Sequence, residues 1–202
     1  MRPDPSPESR INPLDLAKAC RALIRKNYVL VTSCVETSFL FERTAHHLGL
    51  TAPRVVCQVM AYSPAMAAAM DTGELVKDRV GEPGFWAVGI GQLQYPEDYV
   101  GRLEPEKNRF VGHVVCLPDN SCLADPSADQ MHRPERGLLV PYPVVCRISS
   151  EHDRVITRNP EGTVLVYQLH RTVPVPRPRT DKILERMART LAKSLSAGAP
   201  RT

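Results

Sequence analysis

Helix-period segments come first in this sequence and strand-period segments follow them, and that order is what most limits the fold. Asn12-Pro13 reads as an N-cap followed by a first-turn proline. The helix it opens runs to about Lys26, with Leu16, Ala19, Cys20, Leu23 and Ile24 on one face. Tyr28 to Val31 reads as a short buried strand. A second helix opens near Cys34, carries Phe39, Leu40, Ala45 and Leu48 on one face, and stops at Gly49. Strand patterns then follow at 53–62, 84–90, around His113, around Asp125, at 140–148 and at 163–170. One short Ala/Met helix interrupts them, capped by Ser63-Pro64 and ending near Met70. Two leading helices and then mostly strands predict an α+β fold on a largely antiparallel sheet.

The flanks read differently from this body. Residues 1–11 are polar and Pro-rich and read as a disordered arm, leaving 12–172 as one domain. The polar stretch 91–107 reads as a loop that can flap beside a site. Pro174, Pro176 and Pro178 make 173–179 a stiff connector. Thr180-Asp181 then caps an amphipathic helix over 180–196, with Ile183, Leu184, Met187, Leu191 and Leu195 as its apolar stripe. That stripe must dock, on its own domain or on a second copy in a homodimer.

Composition excludes some classes of function. No apolar stretch reaches the ~20 residues of a membrane helix, and the first residues hold no apolar run of a secretory signal. The expectation is a cytoplasmic protein with no membrane partner, whose six cysteines are mostly small buried thiols. They show no zinc spacing, and His46 and His47 are adjacent on a helix and point about 100° apart, so no metal and no cofactor is expected. Net charge is 26 − 22 = +4, but the tail from Arg171 carries eight Lys or Arg against two acids. No aromatic residues interleave with them, which argues against a nucleic-acid stacking platform. An adaptor role for this basic helix toward an acidic partner stays open.

The chemistry centres on Cys34. A thiol in the first turn of a helix faces backbone N–H groups and the positive end of the macrodipole, and both favour thiolate. Downstream, Gly112-His113-Val-Val-Cys and Cys-Leu-Ala-Asp125-Pro read as two strands joined by a Pro-Asp-Asn-Ser turn. His113 and Asp125 then fall near the open end of one hairpin, within reach of each other. Cys, His and an orienting carboxylate form the nucleophile, base and orienter of thiol acyl-transfer chemistry. The backbone N–H of Cys34 is the natural oxyanion donor. Glu36 and Gln130 are candidate pocket-lining groups, and Gln92 a candidate oxyanion donor. The other reading is structural: Cys34 and His113 as satisfied core residues, Asp125 as a turn cap, and the domain as a non-catalytic scaffold.

Over roughly residues 29–130 the chain resembles the transglutaminase-like branch of the papain-like cysteine enzymes. The likeness rests on Cys34 opening its helix, on Leu48-Gly49-Leu50-Thr51-Ala52-Pro53, on Gly112-His113-Val114-Val115 and on Ala124-Asp125-Pro126-Ser127. Cys34-Val-Glu36 with Phe39-Leu-Phe41 is also similar to the arylamine N-acetyltransferases of that superfamily. The resemblance implies a nucleophile helix packed on an antiparallel sheet and a Cys34–His113–Asp125 triad. It implies acyl transfer from a peptide, protein or small acyl substrate bearing an amide, ester or thioester, to water or an amine. Hydrolase and acyltransferase share this chemistry.

Overall fold

A computed structural model describes residues 11–27, 34–74, 79, 82–91, 103–104, 109–110, 112–149 and 151–198. Four α-helices lie among them: α1 (Pro13–Asn27), α2 (Cys34–His47), α3 (Pro64–Asp71) and α4 (Asp181–Gly198). The strands are β1 (Arg54–Tyr62), β2 (Ala87–Ile90), β3 (Leu103–Glu104), β4 (Arg109–Phe110), β5 (His113–Cys116), β6 (Cys122–Asp125), β7 (Val144–Arg147), β8 (Arg154–Arg158) and β9 (Val164–His170). The expected α+β plan is what the chain adopts. Seven strands form one antiparallel sheet in the order β7-β6-β5-β1-β9-β8, with β2 also paired to β1, and β3 and β4 pair separately.

β1 is the axis of the sheet. β9 runs along one of its edges, while β5 and then β2 share the other. Its Val-rich sequence suits a strand covered on both faces, and Val55, Val56 and Cys57 are buried in succession. One face carries Cys57, Val59, Val115, Leu123, Tyr167 and Leu169 in a single apolar cluster. Val144 of β7 and Val155 of β8 belong to the same cluster although they stand at opposite ends of the strand order, so the sheet is curled around this core.

The other face meets the helices. Leu16, Cys20 and Ile24 of α1, Phe39, Leu40 and Phe41 of α2, and Leu184 and Ala188 of α4 pack together with Cys116 and Ala124 of the sheet. α2 lies in the middle of this layer and buries eight of its fourteen residues, not only the predicted stripe. Two of its buried hydroxyls bond within the helix: Thr44 Oγ1 donates to the Leu40 carbonyl at 2.7 Å and Ser38 Oγ to that of Val35 at 3.2 Å.

Local signals held at several places. Asn12 Oδ1 accepts the Leu14 N–H at 2.9 Å, and Ser63 Oγ accepts that of Met66. Gly49 takes a φ of 75° where α2 ends. Asp119 and Asn120 take φ of 50° and 53° in the turn between β5 and β6, a conformation these two residue types tolerate.

Other expectations need correction. The buried face of α1 uses Ala17 and Arg21 where Ala19 and Leu23 were expected, and those two are half-buried. The strands expected at 84–90 and 140–148 shorten to β2 and β7, and β8 carried no readable signal because its residues Arg154, Ile156 and Arg158 face outward. Part of the predicted 91–107 loop is strand β3. Of the α4 stripe, Leu184 is buried and Met187, Leu191 and Leu195 pack half-buried on the same core, but Ile183 is 46% exposed; Ala188 and Ala192 are buried with them, and α4 docks on α2 of its own domain. The Thr180 hydroxyl does not cap α4, and Asp181 Oδ1 accepts the Lys182 N–H. The arm at 1–11 lies outside the described residues except for Ile11, which packs half-buried on the helix-layer core, and the strand at 28–31 and most of the flap also lie outside them. No helix among the described residues is long and apolar enough to cross a membrane.

Candidate active site

The site lies where the N-terminus of α2 meets the open end of the β5–β6 hairpin. Cys34 is the first residue of α2 and only 6% exposed, with its sulfur 3.9 Å from the Gly112 carbonyl oxygen. The next residue, His113, begins β5, and Asp125 ends β6. The antiparallel register brings this start and this end together, and His113 Nε2 lies 2.8 Å from Asp125 Oδ2. Both side chains are fully buried. The three residues read from the sequence are therefore assembled in one place.

Strand alternation sets the orientation. Cys57 pairs directly with His113 and Val59 with Tyr167, so these side chains share the curled inner face. Asp125 lies two residues from Leu123 and projects to that same face. Among the described residues, the carboxylate accepts four hydrogen bonds. Oδ2 takes His113 Nε2 and the Tyr167 hydroxyl, the latter at 3.1 Å. Oδ1 takes the Ser127 N–H at 3.0 Å and the Ser127 hydroxyl at 3.3 Å. A buried carboxylate without partners would be costly, and these donors satisfy both of its oxygens.

The imidazole feels this charge strongly. Burial by itself disfavours the imidazolium, but the Asp125 charge and hydrogen bond, and then the Cys34 side chain, outweigh it and raise His113 to about 10. Its other nitrogen, Nδ1, makes no hydrogen bond of regular geometry, yet Cys34 is near enough to act on the ring. Burial first, and the Asp125 charge second, push the Tyr167 hydroxyl and the Cys57 thiol well up, so both keep their protons. Glu36 is half-buried in the first turn of α2, and desolvation raises its affinity for a proton, partly offset by a backbone hydrogen bond.

The remaining candidates divide. Gln130 sits in the 3-10 turn Ala128–Met131 just after Asp125, half-buried, with its carbonyl accepting from Arg133. Gln92 lies outside the described residues. Sequence reasoning missed Ser127 and Tyr167. Tyr167 had a signal: alternation along β9 places it inward with Leu165 and Leu169, and a buried tyrosine hydroxyl needs a partner. It also missed the clamp behind the site, where Oδ2 of buried Asp129 accepts from Arg21 Nε at 3.0 Å and from Arg25 Nη2, tying α1 to the segment after Asp125. Nothing in the spacing of residues 21 and 129 announces that pair.

Elsewhere, His47 Nε2 lies 2.8 Å from Glu185 Oε1, and among the described residues no group of three or more His, Cys, Asp or Glu is arranged to hold a metal ion. A cavity of about 630 Å³ opens between α2 and α4 beside Phe39, Arg54 and Glu185, away from the thiol. Comparison with protein-family models, with curated proteins and with solved structures finds no match.

Proposed function

We propose that the protein is a thiol-dependent acyl-transfer enzyme in which Cys34, His113 and Asp125 act as nucleophile, proton carrier and orienter. One observation carries the reading: a fully buried 2.8 Å His113–Asp125 pair lies beside a thiol at a helix N-terminus, near enough for Cys34 to act on the ring. The α+β plan, with the thiol helix packed on an antiparallel sheet, is in keeping with the resemblance to the papain-like and transglutaminase-like enzymes.

With its proton held to about 10, His113 is an imidazolium at neutral pH and the natural counter-ion of a Cys34 thiolate. The thiolate attacks the substrate carbonyl. An S–C bond forms, and the carbonyl electron pair moves to oxygen beside the N–H groups of the first turn of α2. As the tetrahedral intermediate collapses, its bond to the leaving amine, alcohol or thiol breaks, and His113 supplies the proton. Water or an amine then attacks the thioacyl carbonyl and gives its proton to His113, and the Cys34 thiolate departs. Asp125 stays ionised throughout, fixing the ring and its tautomer.

The low exposure of Cys34 favours a second reading, a non-catalytic scaffold of the same fold. The basic-helix adaptor has less to draw on, since Arg177 and Arg189 pair with Asp181 and Glu185. Iodoacetamide labelling decides between enzyme and scaffold. For the enzyme, His113→Ala lowers the alkylation rate of Cys34 at pH 7 at least tenfold while circular dichroism shows a folded chain. Equal rates in wild type and variant would overturn the triad and leave the scaffold.

A further inference from the structure

The Asp125 carboxylate has two oxygens, and its partners are shared unevenly. Oδ1 is held by Ser127, through main chain and hydroxyl. Oδ2 is contested: His113 Nε2 at 2.8 Å and the Tyr167 hydroxyl at 3.1 Å converge on the same atom. Tyr167 reaches it from β9, two strands away from β5 with β1 between them, and all of its ring is buried. A hydroxyl buried there satisfies itself, but it also draws electron density from the oxygen on which His113 depends.

We propose that Tyr167 is a positioning residue of this site: its hydroxyl fixes Oδ2 of Asp125 against His113 and weakens the hold of the carboxylate on the imidazolium. The proposal rests on the triad reading. A His113 held too firmly as imidazolium cannot release its proton to the leaving group, and a weakly held one cannot accompany a thiolate. A second donor on the shared oxygen sets the balance between them. The titratable groups facing His113 come from every element packed on it: Cys34 from α2, Cys57 from β1, Asp125 from β6 and, through Asp125, Tyr167 from β9. Of these, Tyr167 donates directly to the carboxylate.

The test is the titration of the His113 ring by NMR on the full chain. A Cys34→Ser background removes the thiolate, and His113→Ala assigns the resonance. Tyr167→Phe keeps the ring and its packing, so the fold should survive. The His113 midpoint should rise by about half a unit to one unit, the equivalent of one ordinary hydrogen bond. Site-specific 2,3-difluorotyrosine at position 167 is a stronger donor of nearly the same shape and should move the midpoint down. Opposite shifts from the two replacements support the proposal. An unchanged midpoint in either, or shifts in one direction for both, overturns it, and the fluorinated protein decides alone if the phenylalanine variant does not fold. The outcome is separable from that of the triad reading, which stands or falls on the alkylation of Cys34 with and without His113.

Discussion

Asp125→Asn is the substitution with the largest calculable consequence. The asparagine keeps the size of the carboxylate but has one acceptor oxygen where Asp125 uses two, and it carries no charge. Four donors now converge on Asp125: His113, Tyr167 and two from Ser127. The amide cannot serve them all, so at least one buried donor is stranded, and the buried imidazolium loses its counter-charge. Breaking one partner out of a buried ion pair costs ~3–5 kcal/mol. Linkage gives a similar size. His113 is raised from 6.5 to about 10. At ~1.4 kcal/mol per pH unit, the stabilisation is on the order of 5 kcal/mol at most below pH 6.5, and on the order of 4 kcal/mol at pH 7. Because the folded-state value is the higher one, this contribution is complete below pH 6.5 and disappears as pH rises through 10. For a chain of this length, ~3–5 kcal/mol lowers Tm by roughly 6–20 °C. Differential scanning calorimetry of wild type and Asp125→Asn from pH 6 to pH 10 should show that gap near neutrality and its steady narrowing toward pH 10. A gap below 2 °C at pH 7, or one that widens as pH rises, would refute the ion-paired account of His113.

Mass-spectrometric mapping after brief iodoacetamide treatment should find Cys34 labelled ahead of the other five thiols. Burial pushes Cys20 to about 12 and Cys146 to about 11, and holds Cys57 and Cys116 well up, so half-exposed Cys122 is the competitor to watch; labelling no faster at Cys34 than at Cys122 counts against an activated thiol. On α4, Leu184→Ala should cost ~2–5 kcal/mol in chemical denaturation and Ile183→Ala within about 0.5 kcal/mol, because Leu184 is fully buried on α2 and Ile183 is exposed; equal costs would place the wrong face against the core. Arg21→Ala leaves Asp129 buried with only the more exposed Arg25 beside it, and should destabilise by ~2–4 kcal/mol and slow Cys34 alkylation through loosening of the segment after Asp125. Circular dichroism melts and the same labelling assay read both effects, and a melt unchanged from wild type removes the clamp from the account.

The sequence by itself determined what depends on local chemistry. Helix caps at Asn12 and Ser63, the stop at Gly49, and the Pro-Asp-Asn turn are short-range arrangements in which a residue acts on its own backbone, so they could be read without partners. The helices-then-strands order pointed to the α+β antiparallel plan, and the hairpin signal brought His113 and Asp125 of the candidate site together, because a hairpin joins distant residues by local rules alone. What tertiary structure decided is what needs a third element. Tyr167 of β9 meets Asp125 of β6 only because the sheet curls, with β1 and β5 between those two strands, and a strand order of that kind leaves no mark on either sequence. Arg21 reads as one more charge on a helix until Asp129 is beside it. On α4, both Ile183 and Leu184 fit the apolar stripe. They differ by one position, about 100° around the helix, and only the packing of α2 chose which of them faces inward.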